Sequence, residues 1–165
     1  MGEIVLARVD DRLIHGQVMT KWSKGLNCNA IFVIDNSISK DPLMKSVYEM
    51  SAGAYGLTIK VMSVDEAIKS WEENKFWRYK VILLFKNIST VKETVNKGLP
   101  IQRLNIGGIA KKADSTFIIP SVALTKLDAD ILRELNQNYG IEVTFQTLPD
   151  TKKVSLKDAL DNSGL

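Results

Sequence analysis

Apolar runs alternate with amphipathic stretches along almost the whole chain. Ile4-Val5-Leu6-Ala7, Ala30-Ile31-Phe32-Val33-Ile34 and Lys80-Val81-Ile82-Leu83-Leu84-Phe85 are short and nearly continuously apolar, the pattern of strands buried on both faces. Leu57-Thr58-Ile59-Lys60-Val61 is rich in β-branched residues and reads as another strand. Leu99 to Ile106 and Ile141 to Phe145 supply two more. Phe117-Ile118-Ile119 and Val122-Ala123-Leu124 flank Pro120-Ser121 as a hairpin or a bent edge strand.

Helical spacing fills the intervals. Val18, Met19 and Trp22 form a stripe between Gly16 and Lys24. Asp41-Pro42 opens a helix with Leu43, Met44, Val47, Tyr48 and Met50 along one side, a stripe expected to face the core. Ser63-Val64-Asp65-Glu66 is a capping box ahead of Ala67, Ile68 and Trp71. Helices are also predicted from Asn87 to Asn96, stopped by Lys97-Gly98, and from Leu127 to Tyr139, stopped by Gly140. A short terminal helix runs from Val154 to Leu160. The alternation predicts one α/β domain over residues 1–165, with a mostly parallel, open, twisted sheet and helices on both faces. An antiparallel strand or hairpin falls in the C-terminal half.

Composition narrows the function classes. Hydrophobic residues at 45% and charged residues at 25% are ordinary for a folded globular chain, so disorder is not expected. A net charge of +3, with no Lys/Arg run interleaved with aromatics, gives no reason to expect nucleic acid as a partner. No apolar run reaches the ~18 residues of a membrane span, and the N-terminus lacks a signal-peptide pattern, so a cytoplasmic protein is expected. Cys28 is the lone cysteine, read as a small buried filler, which excludes an intrachain disulfide. With one histidine besides, no metal site is expected.

In an open sheet of this kind, ligands gather beyond the carboxyl ends of the strands. The segment after the first predicted strand is Arg8-Val9-Asp10-Asp11-Arg12-Leu13-Ile14-His15-Gly16-Gln17-Val18, which puts the only histidine among two arginines and two aspartates just before a helix. A helix N-terminus favours a phosphoryl group. Gly16 would let the backbone approach it, and Arg8 and Arg12 would neutralise its oxygens. Asp10 or Asp11 would hold the proton on one imidazole nitrogen and leave the other nucleophilic. The plain alternative is a capped, salt-bridged turn. Three further loops are weaker. Lys86, with Phe85, is a rim position or a surface lysine, and Asp35-Asn36-Ser37 caps a helix. Gly107 and Gly108 are expected to form a turn with positive φ at the rim.

The Arg8–Val18 segment resembles the signature of the IIB components of the mannose/fructose/sorbose family of the phosphoenolpyruvate-dependent sugar phosphotransferase system. Leu104-Asn105-Ile106-Gly107-Gly108 is similar to the family's second element, and Val122 to Pro149 follows its C-terminal course. The resemblance implies a phosphotransferase needing no cofactor. His15 would receive a phosphoryl group from a phosphohistidine on a IIA partner, carry it on Nδ1, and pass it to a sugar hydroxyl presented by the membrane components IIC and IID. Arg12 would support the phosphoryl group and Asp10 would be the neighbouring carboxylate, with Arg8, Asp11, Gly16 and Gln17 in the same motif. The protein would sit at the inner face of the membrane through IIC and IID. Strand edges and Trp77 offer a homodimer contact. The rival readings are a flavodoxin-like phosphate- or nucleotide-binding module and a regulatory IIB homologue. The first calls for a glycine- or hydroxyl-rich loop where Asp-Asp-Arg stands.

Overall fold

The computed structural model describes residues 1–165. Its centre is β1 (Glu3–Asp10), hydrogen-bonded in parallel to β4 (Lys80–Phe85) on one side and β5 (Arg103–Gly108) on the other. With β2 (Ala30–Ile34), β3 (Thr58–Met62), β8 (Glu142–Phe145) and β9 (Val154–Ser155), the seven strands lie in the order β3-β2-β4-β1-β5-β8-β9. All pairings are parallel except β8 with the two-residue edge strand β9. The expected hairpin is present as β6 (Ser115–Ile119) and β7 (Val122–Thr125), a separate antiparallel pair.

Alternation along the strands divides the interior in two. Phe32, Ile34, Leu83, Phe85, Ala7 and Val9 point to a large core covered by α3 (Val64–Asn74), α4 (Ile88–Asn96), α5 (Lys126–Tyr139) and α6 (Leu156–Ser163). Ile31, Val33, Ile82, Leu84 and Leu6 point the other way, into a smaller core. That core is roofed by α1, a wide-turn π-helical stretch Val18–Trp22 continued by Ser23–Gly25, and flanked by Tyr48 of α2 (Pro42–Met50). The chain leaves β1 towards the small core but leaves its neighbours β4 and β5 towards the large one. This reversal puts the switch point of the sheet, where ligands gather in such folds, beyond the carboxyl end of β1.

Local signals set most boundaries. Ser63 and Thr125 form capping boxes with Glu66 and Asp128, and Asn87 caps α4. Asp41 caps α2 with Pro42 in its first turn, and the Asp35 carboxylate accepts the amides of Ser37 and Ile38. Four expectations change. The strand expected from Leu99 begins at Arg103, since the chain turns at Pro100, where the Ile101 amide bonds the Leu99 carbonyl, and Leu99 and Ile101 plug the core. Residues 154–155 form β9 rather than the start of the last helix. Cys28 is half-buried rather than buried, packed against the small core. The α2 stripe faces outward, with Leu43 72% and Met50 78% exposed, because α2 lies along the β3 edge and turns Tyr48 inward.

Candidate functional site

β1 runs three residues beyond its apolar stretch, so Arg8, Val9 and Asp10 are strand rather than loop. Period-two geometry puts Val9 in the large core and Arg8 and Asp10 on the other face. A tight turn follows, closed by the Leu13 amide donating to the Asp10 carbonyl at 2.9 Å. Leu13 sits in left-handed backbone at φ 57°, a conformation costly to a branched side chain and held by its complete burial in the small core. The turn delivers His15 to the start of α1, where the Met19 amide bonds the His15 carbonyl at 3.1 Å. The amides of Gly16 and Gln17 find no acceptor within the chain, as expected of a first helical turn.

Asp10 organises this corner. Its Oδ1 accepts the Arg12 amide at 3.1 Å and Arg12 Nε at 3.0 Å. Oδ2 takes Arg12 Nη2 at 2.9 Å, His15 Nε2 at 3.1 Å and, at 3.4 Å, Arg8 Nη2. Burial alone would raise the carboxyl pKa. The bonds from His15 and Arg12 and the charge of Arg8 overcome that and hold it well below the usual carboxylate range. With the Asp10 carboxylate accepting at Nε2, the His15 proton resides there and Nδ1 carries the free lone pair. Nδ1 has no partner in the chain and is not among the buried unpartnered atoms, so it opens to solvent. Arg12 spends Nε–H and one Nη2–H on Asp10, and its half-exposed guanidinium retains three N–H donors for an incoming anion. The positive end of this cluster, the half-exposed Arg12 guanidinium, faces outward, where it favours an incoming anion such as a phosphoryl group.

Arg8 departs from expectation. Its side chain is fully buried, and Nη1 donates to Asn105 Oδ1 and, at 3.0 Å, to the Gln146 carbonyl. Nη2 donates to the Thr147 carbonyl at 2.9 Å and to Asp10. The Trp22 ring covers the guanidinium at 4.6 Å, and Trp22 Nε1 donates to the same Thr147 carbonyl at 3.3 Å. Burial lowers its pKa to about 10, still charged at neutral pH. Arg8 therefore cannot reach phosphoryl oxygens; it stands behind Asp10.

Asp11, Phe85, Gly107 and Gly108 depart from expectation as well. The Asp11 carboxylate accepts the Ala110 amide at 2.8 Å and straps the chain after β5, instead of facing His15. Gly16 is exposed with open space where a Cβ would stand, so no close packing requires it. Gln17 Oε1 is buried without a partner and makes no contact with His15. Phe85 is wholly buried in the large core, not at a rim. Lys86 is exposed beyond β4 and lines, with Asp11 and Lys112, an open hollow beside the turn. Gly107 and Gly108 form no positive-φ turn. They end β5, where a Cβ on Gly107 would lie 2.0 Å from Arg8 Cζ and one on Gly108 2.7 Å from Asp10 Oδ1. Close approach, not turn geometry, demands glycine there. Trp22, Gln146 and Thr147 had no local signal; 138 residues separate Arg8 from the Gln146 carbonyl it bonds.

A family model described as the sorbose subfamily IIB component of the PTS system matches residues 4–165. The sorbose-specific EIIB component of Lacticaseibacillus casei is 40% identical over 88% of this chain and 87% of that protein. The mannose-specific EIIAB component of Escherichia coli K12 is 32% identical over 95% of this chain, which spans 48% of that longer protein. Among solved structures, manxB from Thermoanaerobacter tengcongensis matches with TM-score 0.90 at 44% identity, over 98% of this chain and 96% of that one. The IIBSor domain of the Klebsiella pneumoniae sorbose permease matches with TM-score 0.88 at 30% identity, over 97% of both chains. None of these supports a homodimer through Trp77 or a strand edge.

Proposed function

The chain belongs to the sorbose-subfamily IIB components of the phosphotransferase system, phosphocarriers of sugar transport, and from that premise we propose that His15 is its phosphoryl-carrying residue, through Nδ1. The observation that carries this reading is the Asp10 contact at 3.1 Å, which ties up Nε2 and leaves Nδ1 as the nucleophile. In the loading step Nδ1 attacks phosphorus while the bond from phosphorus to an imidazole nitrogen of the IIA partner breaks. The departing ring keeps that electron pair. The positive charge arising on the His15 ring is met by Asp10 across Nε2–H. Arg12 offers its three free N–H donors to the phosphoryl oxygens, joined by the unpaired Gly16 and Gln17 amides. Such transfer rests on positioning and charge neutralisation rather than on covalent machinery.

In the second step a sugar hydroxyl attacks phosphorus, the P–Nδ1 bond breaks with its electrons returning to nitrogen, and the hydroxyl proton passes to a base of the sugar-presenting partner. The sugar is presented by the membrane components IIC and IID with which IIB components work, a reading supported by the family match; this chain itself has no helix long and apolar enough to cross a membrane. Residues 1–165 act as one IIB-type unit. The E. coli relative that joins EIIA and EIIB in one chain supports IIA as the donor. A flavodoxin-like nucleotide site is not favoured, since the β1 corner is filled by an arginine-bound carboxylate.

The test is reconstitution. Protein loaded by phosphorylated IIA is mixed with membranes containing IIC and IID and radiolabelled sugar. Wild type should yield sugar phosphate and His15→Ala none; product from His15→Ala would overturn the assignment.

A further inference from the structure

Arg8 and Gly107 interlock across β1 and β5. The pairing register runs from Val9 with Ile106 to Asp10 with Gly108, so Gly107 is an extra residue bulged out of the ladder. The bulge and the missing side chain open the slot that the Arg8 guanidinium occupies, as the 2.0 Å separation of a hypothetical Cβ from Cζ shows. Asn105 and the Gln146 and Thr147 carbonyls define the far side, and Trp22 covers it. Ser121 braces the slot, donating to the Gly107 carbonyl at 2.9 Å and meeting Thr147 Oγ1 at 2.8 Å. Four of the five guanidinium N–H groups have partners, and only Nε has none. A group held this firmly has one orientation, and its remaining contact is Asp10 Oδ2, the same oxygen that accepts from His15 Nε2.

We propose that Arg8, seated in the slot left by Gly107, is a positioning residue that fixes the Asp10 carboxylate and, through it, the proton on Nε2 of His15. This rests on the reading of His15 as the phosphoryl carrier. Arg8 touches no phosphoryl oxygen; its effect is to make Nδ1 the nitrogen that attacks. Gly107 is then a required partner of Arg8, since even an uncharged side chain there displaces the guanidinium, with no change in the charge of the site. Supporting contacts that orient a reactive imidazole commonly matter by roughly 10–100-fold in activity.

The experiment pairs imidazole NMR on unphosphorylated protein, which reports the tautomer, with the rate of phosphoryl transfer from phosphorylated IIA. Wild type should hold the proton on Nε2; a proton mainly on Nδ1 overturns the proposal at once. Arg8→Lys, Gly107→Ala and Asn105→Ala, each checked for folding by circular dichroism, should mix the tautomers. They should slow transfer by roughly 10–100-fold while leaving the affinity for IIA unchanged. Combining Arg8→Lys with Gly107→Ala should add little to either alone. A folded variant that transfers at the wild-type rate, or loses rate with the Nε2 proton fully retained, overturns the positioning role. Failure of the carrier reading looks different: wild type would take up no phosphoryl group while the variants still shift the tautomer.

Discussion

Asp10→Asn removes one negative charge from the centre of the site at nearly constant shape. The carboxylate is fully buried and accepts five hydrogen bonds, three from Arg12 and one each from Arg8 and His15. Asparagine keeps one carbonyl oxygen but presents an NH2 group to at least one of these donors, and Arg8 becomes a buried cation without a counter-charge. Breaking a buried ion pair from one side costs about 3–5 kcal/mol, and the retained carbonyl puts this case near 3. For a chain of this size that is a fall of roughly 6–12 °C in Tm. The sign with pH follows from the folded-state shift. Asp10 titrates below its ordinary 3.8 in the folded protein, so its stabilisation is complete above about pH 4 and is lost as pH falls towards the folded value. Urea unfolding at pH 7, 5, 4 and 3 should therefore show a gap between wild type and variant that is constant down to about pH 4 and then narrows. Equal midpoints at pH 7, or a gap indifferent to acid, would refute the assignment of Asp10 as a buried, paired carboxylate. Transfer from IIA should fall by roughly two to four orders of magnitude, because the amide favours the other imidazole tautomer.

Arg12→Ala should fold, at a cost of about 1.5–3 kcal/mol for bonds to a charged acceptor, yet slow transfer by orders of magnitude in a stopped-flow assay; unchanged kinetics would remove Arg12 from the site. Leu13→Ala should lose about 2–5 kcal/mol for an emptied core position. Leu13→Gly should be no worse despite the usual glycine penalty, because φ 57° suits glycine; denaturation midpoints distinguish the two. Burial pushes the Cys28 thiol up to about 11, so alkylation by iodoacetamide at pH 8 should be slow and should accelerate on unfolding. Leu43→Lys and Met50→Lys on the outward face of α2 should change stability by less than about 0.5 kcal/mol, read from thermal melts.

Most elements were legible because their signals are local. The capping residues Ser63, Asn87 and Thr125, and the continuous apolar runs of β2 and β4, required no distant partner to be read. The apolar pattern ends β1 three residues short because a charged residue in a central strand is uncommon, and Arg8 and Asp10 become tolerable there only through each other and through distant partners. Asn105, Gln146 and Thr147 lie 97, 138 and 139 residues from Arg8, beyond any local pattern. The same distance disguised Gly107, whose need for glycine comes from a guanidinium on the neighbouring strand and not from its own φ. The α2 stripe failed for a related reason: helical period reveals that apolar side chains share a face, but not whether a neighbour covers it. At this corner the grouping of His15, Asp10 and Arg12 is legible in the sequence, while the burial of Arg8 behind Asp10 is not.

Phosphorus NMR of protein bearing isotopically labelled histidine reads out whether His15 carries the phosphoryl group on Nδ1. After loading by phosphorylated IIA, a single phosphorus signal coupled to Nδ1 of His15 is expected, absent from His15→Ala. Coupling to Nε2, or a signal persisting in His15→Ala, would contradict it.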